Sequence, residues 1–126
     1  MEPLRKVNIR EKLDSFHETW KPKVLARVNE FAIKAVKIEG EFVWHHHDDG
    51  DEVFVVLRGC IDMRYVLNGR ECVESFGEGE LLRVPRGVEH KPVAAPGTEI
   101  LLIEREDTVN TGNLVGSDRY AAAESI

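Results

Sequence analysis

From Lys23 to Glu104 the chain alternates short apolar stretches with clusters of Gly, Asn, Asp and Pro. The stretches 23–29, 31–38, 41–47, 52–58, 61–67, 70–76, 81–85, 89–94 and 98–104 recur at intervals of about 8–12 residues, the rhythm of strands in a sandwich or barrel. No connection between them is long enough for a helical crossover, so the sheet is expected to be antiparallel. Asn68-Gly69, between Leu67 and Arg70, is a two-residue hairpin of type I′. That turn pairs Leu67 with Arg70 and Tyr65 with Cys72, which brings Cys60 opposite Gly77 and onto the other face from Tyr65. Cys60 and Cys72 then point apart, and both are expected to be free thiols.

Ahead of the strands the period is different. Leu13, Phe16, His17 and Trp20 fall on one helical face, Asn8 with Glu11 is an N-cap signal, and Pro22 blocks continuation. His17 is expected to pack on that face. The tail after Asn113 reads as a frayed helix or disorder. The expected division is an extension over 1–30 with a helix and a strand, a β core over 31–106, and a tail over 107–126.

Composition narrows the class. The 126 residues, 42% hydrophobic and 32% charged, suit one domain with one core. Lys+Arg 17 against Asp+Glu 23 gives a net charge of −6, which argues against a nucleic-acid partner because phosphate binding needs a basic surface. No apolar run approaches the roughly 20 residues of a membrane span. Met1-Glu2-Pro3-Leu4-Arg5-Lys6 leads into no apolar segment of a secretory signal, and two cysteines are too few for a disulfide scaffold. A soluble, cytoplasmic protein is the expectation.

Two stretches carry chemistry. In the first, His45 and His47 lie two apart on an extended segment and so face the same side, and Glu52 opens the next strand after the acidic turn Asp48-Asp49-Gly50-Asp51. Two imidazoles and a carboxylate that converge this way form half of a divalent-metal cage. His46 alternates to the other side, with Trp44. In the second stretch a strand runs into Pro85-Arg86-Gly87, and His90 follows three residues after that glycine. Met63 and Tyr65 are the apolar members of their strand, and Tyr65 is a candidate pocket hydroxyl or catalytic group.

Together these stretches resemble the paired motifs of the cupin superfamily. Gly40, His45, His47, Glu52 and Gly59 match its first motif, and Gly79, Pro85, Gly87 and His90 its second. Ala94 departs from it, standing where the family often has Asn. The resemblance implies an all-β fold, a small antiparallel jelly-roll-like barrel of two packed sheets with a short N-terminal helix. It also implies His45, His47, Glu52 and His90 as ligands to one divalent metal. The small "cupin 2" and mannose-6-phosphate isomerase-like proteins look most similar, and fold alone assigns no reaction.

Three imidazoles and a carboxylate suit Fe, Mn, Zn or Ni, and in an octahedral ion they leave free positions for an anionic or bidentate oxygen ligand. Two functions stay open. One is a small metalloenzyme of isomerase, dioxygenase or decarboxylase type on a small oxygenated metabolite. The other is a non-catalytic ligand-binding or sensing protein with a structural metal. Protons are expected to compete with the metal below about pH 6, from the ordinary imidazole pKa. A homodimer is expected from the family resemblance and from the apolar positions Trp20, Val24, Leu25 and Val28.

Overall fold

A computed structural model describes residues 1–126. One short helix, α1 (Ile9–Asp14), precedes the strands β1 (Lys23–Val28), β2 (Phe31–Glu41), β3 (Glu52–Arg58) and β4 (Cys60–Leu67). β5 (Arg70–Gly77), β6 (Leu81–Val84), β7 (His90–Arg105) and β8 (Glu124–Ser125) follow. The pairing is antiparallel except for the two-residue contact of β8 with β1, which is parallel.

Hydrogen bonding is continuous through one eight-stranded sheet, and β7 is its seam. One edge of β7 pairs with β2 along nearly its whole length. Its other edge pairs first with β4, through residues 90–94, and then with β3, through residues 99–103. The two packed sheets of the expected barrel are therefore two arms that share a strand. The breaks expected near Ala95-Pro96-Gly97 did not separate two strands, because a register shift in β2 between Ile38 and Gly40 accommodates the bend.

The inner faces enclose Val36, Ile38, Phe54, Val56, Ile61, Met63, Phe76, Ile100 and Leu102, with Phe42 and Trp20 at one end. Period 2 accounts for this list, since inward residues along each strand are two apart. The outer face of β2 is covered where Ala35 meets Leu13 and Phe16. The hairpin is as expected: Leu67 pairs with Arg70, Tyr65 with Cys72 and Cys60 with Gly77, and Asn68 and Gly69 both have positive φ. Both cysteines are free. Gly59, the last glycine of the first motif, joins β3 to β4 at φ +88 with Thr98 so close that a Cβ would collide with its side chain and its Cα.

Several expectations need correction. The helix stops at Asp14, with Ser15 as its C-cap, so the spacing from Leu13 to Trp20 is not helical throughout. Asn8 does cap it, accepting from the Glu11 amide. Trp20 enters the core at φ +61 from an extended segment, and its amide donates to Lys37 O. His17 is exposed rather than packed. The stretch 41–47 is not a full strand. Phe42 N donates to Pro92 O, but Pro92 has no N–H to return, and the ladder survives only as the His45–His90 bridge.

The tail is not a helix. It crosses the barrel in turns and ends as β8 against β1. Of the apolar positions offered for dimerisation, Trp20 and Val24 are buried within the chain itself.

Candidate metal centre

His45 and His90 are brought together by their backbones. Each donates its amide to the other's carbonyl, at 3.0 and 2.8 Å. His47 follows two residues on, and its carbonyl accepts from Gly87 N at 2.7 Å, which ties the first motif to the turn of the second. The three rings cluster, with centroids 4.2 Å apart for His45–His90, 4.9 Å for His45–His47 and 5.6 Å for His47–His90. Each of the three is at most 6% exposed.

The tautomers are set by local bonds. Nδ1 of His45 lies 2.9 Å from Val43 O, and Nδ1 of His90 lies 2.8 Å from Val88 O. A carbonyl only accepts, so both Nδ1 atoms carry the proton and both Nε2 atoms present lone pairs. Glu52, at the start of β3, brings Oε1 within 3.4 Å of His90 Nε2 and Oε2 within 3.7 Å of His47 Nε2. His47 Nε2, His90 Nε2 and Glu52 Oε1 are buried with no hydrogen-bond partner. Orphaned polar atoms of this kind are costly unless something satisfies them. A divalent ion would accept all of these lone pairs, so the residues present fit a metal.

Burial dominates the titration of the group. It pushes His45 down to about 3, with His90 as the next cause, and lowers His47 and His90. His45 is thus neutral well below pH 6, and for all three rings burial shifts proton competition with a metal below the ordinary imidazole range. Burial raises Glu52.

A second carboxylate, which sequence reasoning missed, stands beside Glu52. Continuing the β3–β7 ladder one residue past Val53–Ile103 sets Glu52 next to Glu104, and both point into the barrel. Donor atoms of His47, Glu52 and Glu104 lie within 4.8 Å of one another, as do those of His45, His47 and His90. Glu104 Oε1 accepts from Lys34 Nζ at 2.9 Å, in an ion pair with side chains 2% and 1% exposed. Burial, then the facing Glu52 charge, pushes the Glu104 carboxyl well above its usual range. The sequence held one signal for this: Lys34 and Glu104 are charges at inward positions of strands that are otherwise apolar there.

His46 lies outside the cluster. Its Nδ1 sits 2.8 Å from Asp48 Oδ1, and its backbone is gripped by Asn113 from the tail. His46 N donates to Asn113 Oδ1 at 2.9 Å, and Asn113 N donates to His46 O at 3.0 Å. Neighbouring Gly112, at φ +59, packs so tightly that a Cβ would strike the His46 carbonyl and lie 3.1 Å from His45 Cδ2.

A polar space of about 220 Å³ opens beside His47, bordered by His46, Asp48, Asp107 and Asn113, and two others lie nearby. A narrow one of about 40 Å³ is bordered by His45, Glu52, Glu104, Trp20, Phe42 and Asn110, room for a few water molecules. Trp20 stacks on Phe42 at 4.7 Å in its wall. The other, about 270 Å³ and mostly apolar, is lined by Met63, Tyr65, Leu82, Val84 and Val88 and by none of the four expected ligands. Tyr65 is half-buried there and stands directly opposite His90 in the β4–β7 ladder, on the same face of the sheet.

A barrel of this topology with an inward His/Glu cluster at paired motifs is the architecture of the cupins, and residues 34–103 match the family described as Cupin domain. The chain belongs to that family. A cupin-2 domain containing protein from Shewanella frigidimarina NCIMB 400 is 39% identical in a crystal structure, with TM-score 0.70, over 79% of this chain and 93% of that one. Uncharacterized protein YdbB of Bacillus subtilis (strain 168) is 29% identical over 65% of this chain and 70% of its own length. The 3-hydroxyanthranilate 3,4-dioxygenase of Danio rerio is 31% identical over 48% of this chain, which spans only 21% of that enzyme. Bacillus subtilis oxalate decarboxylase, with its Mn(II) centres, shares the fold at 24% identity and TM-score 0.54, over 68% of this chain and 22% of that one. No helix is long and apolar enough to cross a membrane.

Proposed function

We propose that this chain holds one divalent ion, Fe, Mn, Zn or Ni, on His45, His47, Glu52 and His90, and acts on a small anionic oxygen compound. The reaction classes in view are isomerase, dioxygenase and decarboxylase. The observation that carries the reading is the convergence of His47 Nε2, His90 Nε2 and Glu52 Oε1, all buried and all without a partner. A bound ion would supply Lewis acidity or, as iron, a redox centre. The protein's share is to hold the imidazoles neutral, fix two of them by carbonyl hydrogen bonds, and keep bulk water out with Trp20 and Phe42. The dioxygenase and decarboxylase relatives are consistent with such chemistry and do not select between them.

On the side of His45 and Glu52 about 40 Å³ admits little more than a carboxylate unless Trp20 moves, whereas the polar space beside His47, about 220 Å³, has room for a larger ligand. Tyr65 lines the apolar cavity and neighbours His90 across the β4–β7 ladder, so it would meet a ligand that reaches from the ion into that cavity. The narrowness beside His45 favours a second reading, a binding or sensing protein whose ion is structural. We place the cupin barrel at 31–106, flanked by 1–30 and 107–126, in a cytoplasmic homodimer. The exposed Val28, Phe31 and Ile103 offer that dimer an apolar patch.

Elemental analysis of the purified protein, followed by cobalt(II) reconstitution and titration with pyruvate, tests the proposal. A change in visible absorption together with a rise in melting temperature is expected, because the anion replaces water on the ion and binds only the folded state. A metal-loaded protein that shows neither response belongs to the structural-metal reading.

A further inference from the structure

Lys34, Glu104 and Glu52 are neighbours on three adjacent strands of the barrel's inner face, β2, β7 and β3, with Lys34 set opposite Leu102 and reaching diagonally to Glu104. Each is at most 5% exposed. Burying an ion pair in an apolar interior seldom stabilises a fold by itself, and well-packed apolar residues would serve there equally well. Two carboxyl groups here face one ammonium, so the group is balanced only by a further proton or a further cation. Lys34 engages only Oε1 of Glu104. Oε2 is buried without a hydrogen-bond partner, the same condition as His47 Nε2, His90 Nε2 and Glu52 Oε1. The donor atoms of Glu104, Glu52 and His47 come within 4.8 Å of one another, a separation that a common ion can span.

We infer that Glu104 is a further protein ligand of the metal centre, its free oxygen turned to the ion while Lys34 anchors the other. The inference rests on the metal site proposed above and goes beyond its four ligands. A dication beside Glu52 and Glu104 balances the second carboxylate, which Lys34 alone does not. With five protein ligands an octahedral ion keeps one exchangeable position, so a small anion attaches through one oxygen rather than as a chelate. The space of about 40 Å³ beside His45, Glu52 and Glu104 suits that mode. Lys34 then acts as a positioning residue, since its bond to Oε1 leaves Oε2 as the oxygen free to coordinate.

The test uses the full chain loaded with cobalt(II). Glu104→Gln keeps the shape and leaves Lys34 an amide oxygen to bond, and Lys34→Met/Glu104→Leu removes the pair in case the single variant folds poorly. Both variants are expected to bind Co(II) or Zn(II) about tenfold or more weakly than the parent. Their cobalt absorption should be shifted, because water replaces a carboxylate oxygen in the ligand field. Pyruvate should bind their cobalt forms more tightly than the parent's, since a second position has opened for chelation. Folded variants with the parent's metal affinity, cobalt spectrum and pyruvate affinity would overturn the inference and leave Glu104 as an ion-pair partner of Lys34. That result would leave the four-ligand site standing. A parent chain that takes up no ion, with His47→Ala behaving identically, would instead remove the metal centre and the role of Glu104 with it.

Discussion

Two of the three clustered imidazoles are pinned by a backbone carbonyl at Nδ1, which aims the bare Nε2 inward whether or not a ligand is present. Such pre-set rings bind a metal without first paying to order themselves. Substituting Ala for His47 or His90 is therefore expected to abolish most divalent-metal uptake while circular dichroism stays near that of the parent. The cost in stability should be about 1–3 kcal/mol, since each loss also removes an orphaned nitrogen. His46→Ala should retain the metal, because its ring is bonded to Asp48 outside the cluster. Metal loss in that variant would mean that the alternation places the wrong histidine inward. That His45 and His47 face the same side was legible from the period of 2 along an extended segment, and that His90 joins them was legible only through the resemblance to the second cupin motif. Glu104 was not, because its neighbour Glu52 is 52 positions away in the chain and only the β3–β7 ladder joins them.

At the level of elements, the segment that carries His45 and His47 is held by pieces of chain rather than by a neighbouring strand. β7 contributes one bridge, the Pro85–Gly87 turn one bond, and the tail the paired bonds of Asn113. Asn113→Ala removes one of the two tail bonds and should cost roughly 0.5–1.5 kcal/mol. Hydrogen exchange at the His46 amide should quicken in that variant while exchange in β7 is unchanged. Gly112→Ala is expected to be harsher, about 1–3 kcal/mol, from the positive φ and the clash with the His46 carbonyl. A Gly112→Ala protein with the parent's melting temperature would show that the tail does not clamp this segment. The hairpin at Asn68-Gly69 and its register were predictable from the turn alone. The tail was not, since its contacts depend on single side chains such as Asn110 and Asn113 and on no periodic pattern. The N-terminal apolar positions misled for a related reason: Leu13 and Phe16 pack together on Ala35 while Trp20 packs in the barrel core, so their spacing imitates a helix longer than the one present.

Over the whole molecule, burying three imidazoles and two carboxylates makes the metal-free chain sensitive to pH from both sides. Folding holds His45 at about 3 against an ordinary imidazole value near ~6.5, so between those limits the unfolded chain binds a proton that the folded chain refuses. The contribution is complete above about pH 6.5 and is lost as pH falls, by up to about 1.4 kcal/mol per unit for each such histidine. His47 and His90 act in the same direction. Glu52 and Glu104 act oppositely, because a raised folded pKa stabilises at low pH and is lost as pH climbs through it. Urea melts in chelator between pH 4 and 8 should therefore pass through a maximum, and metal should raise the alkaline side most. A flat profile in chelator would contradict the burial of these groups. The position of Trp20 has a practical consequence. Of the two tryptophans, Trp44 lies at the surface between Arg64 and Lys91, whereas Trp20 borders the space shared by His45, Glu52 and Glu104. Its indole is thus an intrinsic fluorophore within quenching range of a paramagnetic ion, and ion arrival can be followed by stopped flow in unlabelled protein, with Trp20→Phe as the control that leaves only Trp44 to emit.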